Sequence, residues 1–152
     1  MSDKQTKVLI RYMELKDILE EFDVCFNTFC MTGSDNDEDR GNLLIVFGEF
    51  IRKLLDDCGI DDVDVRFNPD KCMVDAYSKK IRTLYQFGIM PKSYSLFLDI
   101  TPPVPSLISA QKELTHTYEC LIISGKIRKG WSVEMNTAAI YKEARRIIES
   151  LL

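Results

Sequence analysis

Hydrophobic positions along the first third of the chain recur at helical spacing. Val8, Tyr12, Leu15, Leu19, Phe22, Phe26 and Phe29 follow one another at steps of four and three, which puts all seven on one stripe of a helix. The end of that stretch, "FDVCFNTFC", is rich in β-prone residues with Phe22, Val24 and Phe26 alternating, so residues 22–30 fit either a helix or a strand; the longer period favours helix. Leu43, Leu44, Val46, Phe47, Phe50, Ile51, Leu54 and Leu55 define a second helix whose other face carries Glu49, Arg52, Lys53, Asp56 and Asp57. Gly59 and Ile60 form its expected stop, a left-handed glycine followed by an apolar residue.

Farther along, Val63, Val65 and Phe67 alternate as a short strand, and Asn68 with Pro69 reads as the cap and first residue of a third helix running to Gly88. "SYSLFLDI" alternates Tyr94, Leu96, Leu98 and Ile100 against Ser95, Phe97 and Asp99, a second strand that could pair with the first. Pro102, Pro103 and Pro105 end it and open a fourth helix from about Ser106 to Gly125. "GKIRKGWSVEM" then reads as a loop, and a last helix capped by Asn136 runs to the end. The pattern predicts a mainly α fold: one compact domain, residues 1–152, of four to five helices with a minor two-strand element at residues 63–67 and 93–100. If that element is real and the helix between its strands crosses right-handedly, the class shifts toward α/β or α+β.

Composition adds bounds. A chain of 152 residues buries enough surface for a core without staples, and 45% apolar with 29% charged residues is ordinary for a globular protein. The longest apolar run, from Leu43, is too short to span a bilayer, and "MSDKQTK" has no hydrophobic signal core, so the expected address is the cytoplasm with no membrane partner. Cys25, Cys30, Cys58, Cys72 and Cys120 form no C-x-x-C pair, and their odd number favours reduced thiols. The net charge of -4 is uneven: residues 1–42 carry ten carboxylates against five basic groups, whereas residues 101–152 carry five against seven.

Candidate chemistry is sparse. "SDNDEDRGN" sets Asp35, Asp37 and Asp39 at alternate positions, as a calcium loop would, but Arg40 stands where the loop needs glycine and Val46 where it needs a bidentate glutamate. Its charges suit the positive N-terminus of the helix expected near Leu43. Glu113, His116 and Cys120 share one helix edge by spacing, and His116 with Cys120 could begin a metal or thiol site, yet no second histidine exists to complete one. No glycine-rich phosphate loop or nucleophile elbow is present. Lys126, Arg128 and Lys129 lie beside Trp131, with Lys142, Arg145 and Arg146 on the last helix, a composition that could bind nucleic acid through phosphate contacts and stacking.

No cofactor is expected. The leading expectation is a non-enzymatic protein-interaction module, an adaptor, inhibitor or assembly subunit, that binds another protein or self-associates into a homo-oligomer. It would act through helix faces and the acidic first third, where Glu14, Asp17, Glu20 and Glu21 flank a heptad-like seam. Nucleic-acid binding and an enzyme or metal site on Glu113, His116 and Cys120 are the alternatives.

Overall fold

The computed structural model describes residues 14–32, 37–90, 95–109, 111, 120–132 and 136–152. Among them, six strands form one antiparallel sheet: β1 (Val63–Asn68), β2 (Met73–Ser78), β3 (Thr83–Met90), β4 (Ser95–Thr101), β5 (Leu121–Ile123) and β6 (Lys126–Ser132), in the order β1-β2-β3-β4-β6-β5. Three helices, α1 (Leu15–Thr32), α2 (Asp37–Asp57) and α3 (Thr137–Ser150), pack on one face, and residues 104–109 are also helical. The protein is therefore α+β, and the expectation of a mainly α, all-helical domain is corrected.

The helices follow their sequence periods. Ile18, Phe22, Phe26 and Phe29 of α1 are buried, and residues 22–30 are helix throughout; Val8 and Tyr12 lie outside the described residues. All eight apolar positions expected in α2 are buried. Its end is a Schellman turn, with the Ile60 amide donating to the Leu55 carbonyl at 2.8 Å, the Gly59 amide to the Asp56 carbonyl at 2.9 Å, and Gly59 at φ +84. The described part of helix α2 starts at Asp37, earlier than Leu43, so Glu38 and Asp39 of the acidic stretch are helical, and Asp35 lies outside the described residues. Asn136 caps α3 as expected, accepting from the Ala138 amide at 2.7 Å.

The corrections fall between residues 69 and 132. The expected third helix is a β-hairpin: Asn68 caps only a single 3-10 turn, Pro69–Lys71, after which Val74, Ala76 and Ser78 of β2 and Thr83, Tyr85, Phe87 and Ile89 of β3 alternate into the core. Of the expected fourth helix, residues 106–109 and 111 are helical, residues 110 and 112–119 lie outside the described residues, and residues 121–123 are strand β5; residues 126–132 of the expected basic loop are β6. The strands expected at 63–67 and 93–100 correspond to β1 and, from residue 95, to β4, with residues 93 and 94 outside the described residues, but they do not pair, since β2 and β3 lie between them.

The two layers meet through aromatic rings. Phe87 in the sheet takes the edges of Phe47 and Phe50 from α2, with centroids 5.3 and 5.5 Å away, and Phe50 in turn meets Phe22 of α1 at 5.0 Å and Tyr141 of α3 at 5.6 Å. Replacing Phe50 by alanine removes the ring that touches all three neighbours. The expected loss is about 3–5 kcal/mol in urea unfolding; a loss below about 1 kcal/mol would mean that the junction is not where the layers are held.

Candidate functional site

Strand alternation fixes what the other face of the sheet presents. Arg66, Asp75, Gln86, Asp99, Arg128 and Leu121 are cross-strand partners in succession, forming one row over all six strands. The neighbouring row holds Asp64, Tyr77, Leu84 and Thr101, with Lys126 and Ile123 continuing it. Both rows point away from α1, α2 and α3.

The centre of this face is a polar network. Arg128 grips Asp99 with two parallel hydrogen bonds, Nε to Oδ1 at 2.6 Å and Nη2 to Oδ2 at 2.8 Å, and Asp99 is only 3% exposed. These bonds push the Arg128 pKa still higher, so the guanidinium stays charged. The guanidinium also lies over the Phe97 ring, 4.6 Å from its centroid. Phe97 can lie flat there because its cross-strand partner is Gly88, where a Cβ would come within 2.1 Å of the ring. Lys126 Nζ donates to Gln86 Oε1, and Gln86 Nε2 to Asp75 Oδ1, each at 3.2 Å. The Thr101 hydroxyl is shielded without a hydrogen-bond partner at the same corner.

Where β4, β5 and β6 come together, Asp99, Ile123, Ser124, Lys126 and Arg128 line a pocket of about 200 Å³. Ser124, at φ 50, begins the turn that joins β5 to β6. Around the pocket and the network the face exposes apolar side chains: Leu121 at 61%, Ile123 at 48%, Met90 at 48% and Tyr77 at 40%.

The seven basic and aromatic residues singled out in the sequence do not gather. Lys126 and Arg128 face the pocket, whereas Lys129 and Trp131 alternate to the helical side. Trp131 is 4% exposed, its indole N–H donates to Glu143 Oε2 at 3.0 Å, and it stacks near Phe87 with the Lys129 ammonium 6.0 Å from its ring. Lys142 and Arg146 are exposed on α3, and Arg145 pairs with Glu149 one helical turn away. Base stacking would require Trp131 to leave the core. Glu113 and His116 lie outside the described residues. Cys120 is buried, and burial raises its pKa, as it does for Cys25 and Cys72 and, up to about 11, for Cys58. Among the described residues no group of three His, Cys, Asp or Glu side chains is placed to hold a metal ion, and no helix is long and apolar enough to cross a membrane.

Sequence reasoning identified Lys126 and Arg128 but missed Asp99, Ile123 and Ser124. Asp99 carried a usable signal, a carboxylate on a strand otherwise made of apolar and small residues. Compared with known protein families, curated proteins and solved structures, the chain matches none.

Two outcomes follow from these contacts. Alanine at position 88 must push Phe97 off its glycine seat, so Gly88→Ala should cost about 1–3 kcal/mol in urea unfolding, and much less in a Phe97→Ala background; equal costs in both backgrounds would contradict the contact. Burial also raises the Tyr85 hydroxyl, and burial together with the hydrogen bond to Asp57 raises that of Tyr141, alongside the Cys58 thiol. The unfolded chain therefore loses these protons first, and stability should fall as pH rises from about 9 to about 11. An unchanged urea midpoint over that range would refute the assignment.

Proposed function

We propose that the chain is a non-enzymatic protein-interaction module whose contact surface is the face of the sheet turned away from the helices. The observation that carries this reading is the row of half-exposed apolar side chains, Tyr77 and Ile123 with Leu121 and Met90 beside them, around a polar network already held in one geometry by Asp99 and Arg128. Of the helical seam expected to make the contact, Phe22, Phe26 and Phe29 are buried in the core, Leu15 and Leu19 are half-buried against it, and Val8 and Tyr12 lie outside the described residues. What α1 leaves outside is its acidic side, where Asp17, Glu20, Glu21 and Asp23 are exposed, with Glu14 exposed just before it.

A rigid, mixed polar and apolar surface is suited to a protein partner or to a second copy of the chain. Burial raises the pKa of Cys25, Cys58, Cys72 and Cys120, which counts against any of these four as a thiolate nucleophile. Sedimentation and pull-down of the purified chain should show self-association or capture of a partner. Tyr77→Asp together with Leu121→Asp should weaken that contact by about tenfold or more, whereas Val24→Asp on the exposed side of α1 should leave it unchanged. A monomer that captures nothing, or a contact that Val24→Asp disrupts and the sheet variants do not, would overturn the proposal.

A further inference from the structure

The corner between β4, β5 and β6 has more positive charge than the fold consumes. Both oxygens of the buried Asp99 are taken by Arg128, so the pocket's one carboxylate is already engaged. Among the described residues, Arg128 retains Nη1 and one proton of Nη2, and Lys126 retains the ammonium protons not given to Gln86. The hydroxyl of Ser124 stands on the same rim. The pocket is thus lined by two cations with unused donors, fixed from behind by the Asp99 pair, the Phe97 ring and Gln86.

Size and surroundings narrow what fits. About 200 Å³ is below the range that encloses a drug-sized ligand and is ample for one side chain. Ile123 forms an apolar wall of the pocket, and Leu121, two residues back on the same side of β5, extends that surface outward. Strand addition along β5 offers little by comparison. In a strand of three residues, alternate backbone groups face outward, so a partner strand would gain only about one or two hydrogen bonds. Recognition at this corner therefore rests on side chains: an acceptor for Lys126 and Arg128, and an apolar neighbour for Leu121 and Ile123.

Resting on the interaction reading above, we propose that this pocket receives a carboxylate side chain, aspartate or glutamate, that a partner protein presents next to an apolar residue covering Leu121 and Ile123. Charge complementarity selects this occupant: the open donors call for an anion, and the apolar rim calls for one carried on a peptide chain. The carboxylate would take bonds from Lys126 and from the free edge of Arg128 without displacing Asp99. Such contacts are charge-assisted, so binding weakens as salt rises.

The test uses the full chain and three labelled seven-residue peptides in which leucine alternates with glutamate, glutamine or lysine, read by fluorescence anisotropy. The glutamate peptide should bind at least about tenfold tighter than the glutamine peptide, in line with one charged hydrogen-bonded contact, and the lysine peptide should not bind. Lys126→Glu should remove the preference, Lys126→Arg should keep it, and Leu121→Ser should weaken the glutamate and glutamine peptides alike. Arg128 is left intact in these variants, because removing it would strand the buried Asp99. Equal binding of the glutamate and glutamine peptides, an unchanged preference in Lys126→Glu, or no binding of the glutamate peptide below millimolar concentration would overturn the inference. A chain that captures its partner through Tyr77 and Leu121 but shows no preference for glutamate keeps the interaction reading and loses this one; loss of both capture and preference overturns both.

Discussion

The structure depends on where the Phe87 ring sits. It is fully buried on the helical face of a central strand, with Phe47 and Phe50 edge-on against it and Trp131 stacked 6.5 Å away. Through Phe50 the same junction reaches Phe22 of α1 and Tyr141 of α3, so each helix is referred to the sheet by one set of rings. Edge-to-face rings have directional preferences that aliphatic contacts lack, and they restrict how the helices can slide. They also fix register. A slip of one residue in β3 would turn Phe87 to the outside and Gln86 and Gly88 to the inside, stranding a polar amide in the core and opening a cavity beneath α2.

That constraint determines the opposite face as well. With Phe87 inward, Gln86 and Gly88 point outward, and their partners Asp99 and Phe97 follow; Gly88 leaves room for the Phe97 ring, and the ring supports Arg128. The candidate site is in this sense a consequence of the core. Its cations are placed by β6, whose inward residues Ile127 and Trp131 are buried among the same side chains.

How much of this was legible in the sequence varied with the contrast between faces. Helices α1, α2 and α3 bury one stripe and expose the other, so their period, the stop at Gly59 and the cap at Asn136 could all be read. Strands β1 and β4 alternate clearly enough to be found. Strands β2 and β3 do not: outward positions include Met73, Tyr77, Leu84 and Met90, while inward ones include Ala76, Ser78 and Thr83, so polarity barely separates the faces. Tyr77, Ile81, Leu84 and Tyr85 also fall at helical spacing by chance of that mixture, and Asn68 with Pro69 supplied a genuine cap for what is only one turn. In β6, Lys126, Arg128 and Lys129 disguised a strand as a basic loop. Lys129 faces inward and still keeps its ammonium near the Trp131 ring, as a long side chain allows. Without the strand assignment, nothing separates Lys126 and Arg128 from Lys129, and the pairing of Arg128 with Asp99, 29 residues apart, has no local signal.

The Asp99–Arg128 pair is a poor device for stability alone, because burying the Asp99 carboxylate costs hydration that its attraction to a half-exposed guanidinium only offsets, and an apolar residue there often does as well or better. Its position makes more sense as a way of holding a guanidinium still on an otherwise mixed surface. The edges of the sheet point the same way. On β1 the outward side chains Asp64 and Arg66 pair with each other at 3.3 Å, placing charge along an edge that could otherwise recruit foreign strands, and β5 is too short to recruit them strongly. A sheet with one charged edge and one very short edge discourages contact through its backbone. In the proposed reading, contact is left to the side chains of the open face, where Asp99 and the Phe97 ring hold Arg128 and the apolar residues beside it provide the area.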